Sequence, residues 1–267
     1  MESSPASRAA IDETFGPEPK YPVESVDNAL RLLSLFRDHD RIRVKDAAAM
    51  LGVASGTAHR LLAMLVYRGY VAQDPVSKLY VPGAMLLSIG LQAAQRSDLR
   101  LVARPYLEEL NERFDETIQL ATLVGTDVLF IDALESGKTL RVTSRAGTLR
   151  YAHCTSVGKA LLAAFPREAI LELYPGEQIG QATPRSIGSR SELLVELEAT
   201  RQRGYAVNIG ELEDGIGSVA AVVEDTAGHA VAALGAGAPM TRLDDVRIGE
   251  IADAIVEAAG RLGAAVR

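Results

Sequence analysis

The stretch from Val44 to Arg68, VKDAAAMLGVASGTAHRLLAMLVYR, constrains this chain most. Ala47, Ala48 and Leu51 share one face of a short helix, and Gly52 follows as its C-terminal stop. A second helix opens at Ser55, read as its cap, and carries Leu61, Leu62, Leu65 and Val66 as an apolar stripe that Gly69 ends. Its first turns are small and polar: Ser55, Gly56, Thr57, His59 and Arg60. Small residues admit close approach to another surface, and a helix N-terminus presents N–H groups that favour an anion. A recognition helix in a DNA major groove has the same requirements. A helical hairpin inside an all-α core fits the pattern too, so the flanking segments decide.

Upstream, Ser25 reads as the cap of a helix running to about Arg37, with Val26, Ala29, Leu30, Leu33 and Phe36 on one face. A polar turn, Asp38 to Arg43, contains Arg41 and Arg43. Downstream, Tyr70-Val71 and Leu79-Tyr80-Val81 are β-prone runs, and Asp74-Pro75 marks the turn between them. Three helices followed by a β-hairpin make a winged helix-turn-helix over residues 21–83. Arg41, Arg43, Lys45 and Lys78 are its candidate contacts to a phosphate backbone. Residues 84–97 read as a linker helix, with Met85, Leu86, Ile89 and Ala93 on one side. Such a stripe packs on its own domain or on a second copy. Residues 1–20 are rich in Ser, Ala, Glu and Pro without periodicity and read as a disordered tail.

From Asp98 to residue 267 the pattern changes to α+β. Leu101 to Glu116 is helical, and TIQLATLVGTDVLFIDALES reads as two strands joined at Gly125-Thr126-Asp127. A strand is expected over Leu140 to Ser144, and helices over Thr155 to Phe165 and Arg167 to Tyr174. Ser189 to Glu192 reads as a capping box for a helix to Arg203, stopped by Gly204. Strands over Tyr205–Asn208, Ser218–Glu224 and His229–Gly235 and a closing helix from Leu243 to about Leu262 complete a mainly antiparallel sheet flanked by helices.

The net charge of −7 is unevenly spread. Residues 21–97 hold nine Lys/Arg against six Asp/Glu, whereas residues 98–267 hold seventeen against twenty-five. The basic excess of +3 therefore coincides with the helix pair. A single cysteine excludes an intrachain disulfide framework and fits a reducing cytoplasm. No apolar run is long enough to span a membrane. His39, His59, His153 and His229 lack zinc-ligand spacing, Gly158-Lys159 is not a phosphate loop because His153 stands at the first-glycine position and Ala160 at the hydroxyl position, and Ser156 and Ser218 lack a nucleophile elbow. No cofactor or metal is expected. A metabolic enzyme with an N-terminal partner-binding module, or a winged-helix protein adaptor, are the competing readings; no convergent acid–base or nucleophile set supports the enzyme. The turn Thr155-Ser156-Val157-Gly158 opens a helix whose N–H groups suit a carboxylate, although a simple cap explains it as well. A solvated acidic loop accounts for Glu211 and Asp214 as readily as a signature role does.

Four segments together resemble the IclR-type transcriptional regulators: Ser25–Leu33, Leu51–Val71, Tyr151–Ala163 and Arg201–Ala221. The resemblance covers about residues 23–263. It implies a winged helix-turn-helix domain, a linker helix and a GAF-like effector domain in a homodimer or homotetramer on an inverted-repeat double-stranded DNA operator. It further implies a regulator, commonly a repressor of a metabolic operon, that senses a small organic acid. Where the family commonly carries Pro-Lys-Ser-Thr at the recognition helix, this chain has Ala54-Ser55-Gly56-Thr57. The positions matching the family's effector contacts are Ser156, Val157, Asn208, Ser218, Gly235 and Gly237. The two glycines, and the loss of an Asp, imply a roomier and less polar pocket suited to a larger or aromatic acid.

Overall fold

The winged unit begins with a helix whose apolar residues lie on two faces, only one of which is covered. In the computed structural model, which describes residues 19–95 and 98–266, helix α1 (Glu24–Ser34) continues into a 3-10 turn at Leu35–Arg37. Leu32 and Leu35 enter the core beside Asn28, while Val26 and Leu30 of the expected stripe are exposed. Leu33 and Phe36 are partly buried. The packed face is set by contact with the next two helices, which periodicity in α1 alone does not specify. Helices α2 (Val44–Leu51) and α3 (Ser55–Tyr67) meet at a bend of 111°. Ala47 and Ala48 of α2 and Ala58 of α3 are buried with Leu51, Leu62 and Leu65; the small side chains let the helices cross closely. Gly52 turns the chain at φ +70°, a conformation costly for a residue with a Cβ, and its N–H bonds to the Ala48 carbonyl. Val66 lies outside this core. Neither expected serine cap forms: the residues before α1 and α3 are Val23 and Ala54, without a side-chain cap, and both serines lie inside their helices.

Strands β1 (Val71–Gln73) and β2 (Tyr80–Pro82) pair antiparallel, and Ile42 bridges to Tyr80 from the other side. The Asp74 carboxylate accepts from the N–H groups of Val76 (3.0 Å) and Ser77 (2.6 Å), which shapes the wing tip. Helix α4 (Ala84–Gln95) follows. Met85 and Ile89 are exposed on this unit and Leu86 is half-buried. The expected tail falls outside the described residues except for its last two, and the side chain of Ala93 is outside them as well.

A second compact unit begins at Asp98. Helix α5 (Asp98–Phe114) leads into a six-stranded sheet ordered β5-β4-β3-β8-β7-β6, every neighbour antiparallel. The strands are β3 (Thr117–Val124), β4 (Asp127–Leu134), β5 (Leu149–Tyr151), β6 (Ala206–Ile209), β7 (Ile216–Glu224) and β8 (Ala230–Pro239). Alternation along β7 and β8 builds two cores. Val219, Ala221, Val223, Ala232, Leu234 and Ala236 pack with α5 and α9 (Asp245–Ala265). Ala220 and Ala233 face the opposite side, under α6 (Ser156–Ala163), α7 (Arg167–Leu173) and α8 (Arg190–Arg203). Ser189 caps α8 through the N–H of Glu192, but the Glu192 carboxylate returns to Gly188 rather than to Ser189.

The strand expected over Leu140 to Ser144 is absent. Side chains take its backbone groups instead: Arg242 donates to the Leu140 carbonyl (3.0 Å), Thr117 to that of Val142 (2.5 Å), and Glu135 accepts the Ser144 N–H (2.9 Å). The edge strand lies later, at β5. Among the described residues no single helix is long and apolar enough to cross a membrane.

Two glycines of α9 make a controlled comparison. A Cβ at Gly263 would stand 2.0 Å from the Glu224 carbonyl oxygen, whereas one at Gly260 would meet nothing within 4 Å. Gly263→Ala should destabilise the chain by about 1–3 kcal/mol in chemical denaturation, and Gly260→Ala should stabilise it by up to about 1 kcal/mol. Equal effects would show that α9 is not seated on β7 as described.

His153 is buried just before α6. Its Nε2 lies 2.6 Å from the Gly180 carbonyl, its ring stacks on Tyr151, and its Nδ1 has no hydrogen-bond partner among the described residues. Burial holds its pKa below the usual histidine value, against the Gly180 bond, and the Lys159 charge lowers it further. The unfolded chain therefore takes up the proton first. Stability is greatest above the unfolded pKa of about 6.5 and declines as pH falls towards the folded one. Melting temperatures measured from about pH 7.5 to about pH 5.5 should fall, and His153→Gln should flatten that slope; an unaltered slope would remove His153 as its source.

Candidate functional site

The N-terminal turn of α3 is open. Ser55, Gly56, His59 and Arg60 are exposed and Thr57 is half-buried. Ala54 carries no capping side chain, so the first N–H groups of the helix and the Ser55 hydroxyl lie at the surface. Arg41, Arg43 and Lys45, leading into α2, are exposed too. Lys78, exposed at the wing, adopts φ +59°, stabilised by its N–H bond to the Asp74 carbonyl (3.0 Å). One further cation, at the C-terminal cap of α3, was not read from the sequence as a contact: Arg68 stacks over the exposed Tyr67 ring, 5.2 Å from its centre.

In the second unit, register assembles a cavity at the start of α6. Asn208 stands opposite Ser218, Ser218 opposite Gly237, and Gly235 opposite Gln119 on the far side of β8. The missing side chain at Gly237 leaves a depression in mid-sheet, and the first residues of α6 close over it. Thr155 caps this helix, accepting from the Gly158 N–H (3.0 Å), while the Ser156 hydroxyl donates to Ser218 Oγ (2.7 Å). The N–H groups of Ser156 and Val157 begin the helix, where no intrahelical acceptor exists. All six sequence-derived positions, Ser156, Val157, Asn208, Ser218, Gly235 and Gly237, line the cavity.

Two of these positions act differently from the expectation. Asn208 is fully engaged, donating to the Cys154 carbonyl (2.9 Å) and accepting from the Glu211 N–H (2.9 Å). It holds the loop after β6 against the segment before α6. Gly235 does not enlarge the pocket, because a Cβ there would stand 2.8 Å from Val157 Cγ1. The space goes to α6, and the cavity volume is about 20 Å³, room for a water or two.

Sequence reasoning missed the most polar part of the wall. Gln119, 8 % exposed, lines the cavity, and its Nε2 has no hydrogen-bond partner among the described residues. Its only sequence signal was an amide among the apolar residues of β3. The Arg145 side chain, 12 % exposed, lines it as well and pairs with Glu213 at 2.8 Å. Burial pulls its guanidinium pKa down, the Glu213 charge opposes this, and the Arg150 charge adds to it.

Glu211 is not part of a solvated acidic loop. Its carboxylate receives both bonds of the buried Lys159 ammonium, at 2.7 and 2.9 Å, with Glu196 at 3.5 Å from the same nitrogen. Burial raises the Glu211 carboxyl pKa and the Lys159 charge opposes that rise. Asp214, by contrast, is exposed. Cys154 is buried, and burial raises its thiol pKa above the usual range, which makes it an inert core group.

Residues 91–264 match the model of the bacterial transcriptional regulator IclR C-terminal domain, and residues 25–75 that of the IclR helix-turn-helix domain. The chain is 30 % identical over 237 residues to the HTH-type transcriptional regulator XynR of Escherichia coli K12, covering 88 % of this chain and 94 % of that one. The crystal structure of an IclR transcriptional regulator from Alicyclobacillus acidocaldarius superposes with a TM-score of 0.77 at 26 % identity, covering 91 % of this chain and 98 % of the other. The fold is also that of an IclR homologue from Microbacterium hydrocarbonoxydans complexed with 4-hydroxybenzoate, with a TM-score of 0.74, 24 % identity, and 90 % and 97 % coverage. The matched families and XynR are transcriptional regulators, not enzymes. A winged helix-turn-helix with an open recognition helix, followed by a domain with a small polar-walled cavity in an antiparallel sheet, agrees with both matches, and the chain belongs to the IclR family of bacterial DNA-binding transcriptional regulators.

Proposed function

We propose that this regulator binds an inverted-repeat operator near a metabolic operon and responds to a small organic acid. In this reading the winged helix-turn-helix occupies residues 21–83, the linker helix residues 84–97 and the effector-binding domain residues 98–267. The observation that carries it is the coexistence of two built features: the open N-terminal turn of α3, and the cavity under the N-terminus of α6. Thr57, His59 and Arg60 read bases or phosphates, with Ser55 and Gly56 at the close approach; Arg41, Arg43, Lys45 and Lys78 position the domain on the backbone. The acid lies against Ser156 and Val157, with Ser218 beside it. Its chemistry follows from N–H donors at a helix start and from the 4-hydroxybenzoate bound by a protein of the same fold. The exposed apolar side chains Met85, Leu87 and Ile89 of α4 support a homodimer, or a homotetramer of two such pairs. Repression is the simpler mode, because occupying a promoter requires no contact with polymerase.

The test is a gel shift on DNA upstream of the protein's own and neighbouring genes, at two salt concentrations, with and without small acids. Specific, salt-sensitive binding altered by one acid is expected. Arg60→Ala should weaken operator binding by about 1–3 kcal/mol. A variant with unchanged affinity and salt dependence would take Arg60 out of the interface.

A further inference from the structure

We propose that Arg145 is the cation that selects for acids in the cavity, and that Glu213 holds its place as a displaceable internal counter-ion. The inference rests on the effector reading above and gives its pocket a chemistry of its own. Arg145 is firmly placed. Its carbonyl accepts from both the N–H (2.9 Å) and the hydroxyl (2.7 Å) of Thr148. The turn is tied to β4 by Gly147 N–H to the Phe130 carbonyl (2.7 Å) and Phe130 N–H to the Thr148 carbonyl (3.1 Å). These bonds fix the backbone from which the Arg145 side chain reaches the cavity.

A guanidinium with only 12 % of its side chain exposed favours an anion beside it. The anion at Arg145 is joined by a single bond, Nη2 to Glu213 Oε2, although the group has five donors arranged to grip a carboxylate with two. The Glu213 side chain is 59 % exposed, so its carboxylate loses little by returning to water. Gln119, which lines the same cavity, independently carries a buried amide nitrogen without a hydrogen-bond partner among the described residues. With the N–H groups that open α6, the wall offers an excess of donors. A ligand carboxylate satisfies them; a carboxamide of the same shape brings donors of its own to groups that need acceptors and supplies no charge to the guanidinium.

Glu213 and the ligand then compete for one guanidinium. Displacement of Glu213 also changes the segment that carries it. The turn between Gly210 and Gly215 has one foot fixed, Glu211 on the buried Lys159, and one foot released. The acid thus exchanges a contact within the protein for one to itself, which makes the loop after β6 the element that differs between the liganded and unliganded forms.

Isothermal titration of the full-length protein tests this, with acetate, pyruvate, benzoate and 4-hydroxybenzoate as probes, each paired with its neutral amide. At least one acid should bind, and its amide about tenfold more weakly or not at all. Arg145→Gln should lower the affinity for that acid about tenfold, and Glu213→Gln, by removing the competitor, should raise it about threefold. Glu213 is exposed, so its variant reports even if Arg145→Gln fails to fold. Acid binding unchanged in Glu213→Gln, or in a folded Arg145→Gln, overturns the role of the pair and leaves the effector reading standing. A wild-type protein that binds none of the four acids but still shifts operator DNA overturns both.

Discussion

The close seating of α6 on the sheet is the contact on which the second unit depends. At Gly158 a Cβ would lie 2.1 Å from the Ala152 carbonyl oxygen, and at Gly235 it would lie 2.8 Å from Val157. Neither position tolerates a side chain without movement, and the first of these neighbours is backbone. Gly235 lets the helix start lie against β8, and Gly158 lets it fold tightly onto the turn that precedes it, so Ser156 and Val157 line the mid-sheet depression. The same approach buries Ser156 against Ser218 and fixes the width of the cavity. A helix set even one side-chain layer further out would leave the same residues in a shallow, wet groove.

Charges buried in the second unit are held in pairs. Lys159 points away from the cavity on the second turn of α6 and finds Glu211 and Glu196. Glu116, buried at the start of the sheet, is gripped by two 2.6 Å bonds from Arg242 and contacted by Lys138. Such pairs add little net stability, because desolvation consumes most of the attraction, but breaking one strands a buried charge. Their effect is on specificity of arrangement. Lys159–Glu211 sets where the loop after β6 crosses α6, and Asn208 repeats the instruction by bonding Glu211 N–H and Cys154 carbonyl together.

Much of this was legible before any coordinates. Local rules carry local features: Gly52 and Gly204 end helices at positive φ, and Ser189 caps α8. The failures are long-range. Leu140 to Ser144 has the composition of a strand, yet its hydrogen bonds go to Thr117, Glu135 and Arg242, groups distributed over more than a hundred positions of chain. Ser25 and Ser55 look like caps because serine caps well; the helices begin one residue earlier, at Glu24, or at Ser55 itself, without any side-chain cap. In the cavity, Ser156, Val157, Asn208, Ser218, Gly235 and Gly237 were reached through family resemblance. Gln119 and Arg145 were not, because nothing near them in sequence states that β3 lies beside β8 or that the turn at Gly147 folds back on Phe130.

The functional consequence concerns how a ligand this small can matter. A cavity of about 20 Å³ admits few contacts, so the ligand's total binding energy is modest and its leverage lies in the difference between two states. Coupling free energies of about 1–3 kcal/mol, roughly 5- to 150-fold in affinity, are the usual scale for such control. On the proposal made above, a carboxylate exchanging with Glu213 at the Arg145 guanidinium acts through a single charge contact in a poorly solvated place, where one contact counts for more than at the surface. An apolar cavity of equal size would have only dispersion to draw on, a fraction of a kcal/mol per atom pair. For the proposed acid effector, a small depression with charged walls therefore gives more leverage than an apolar one of equal size.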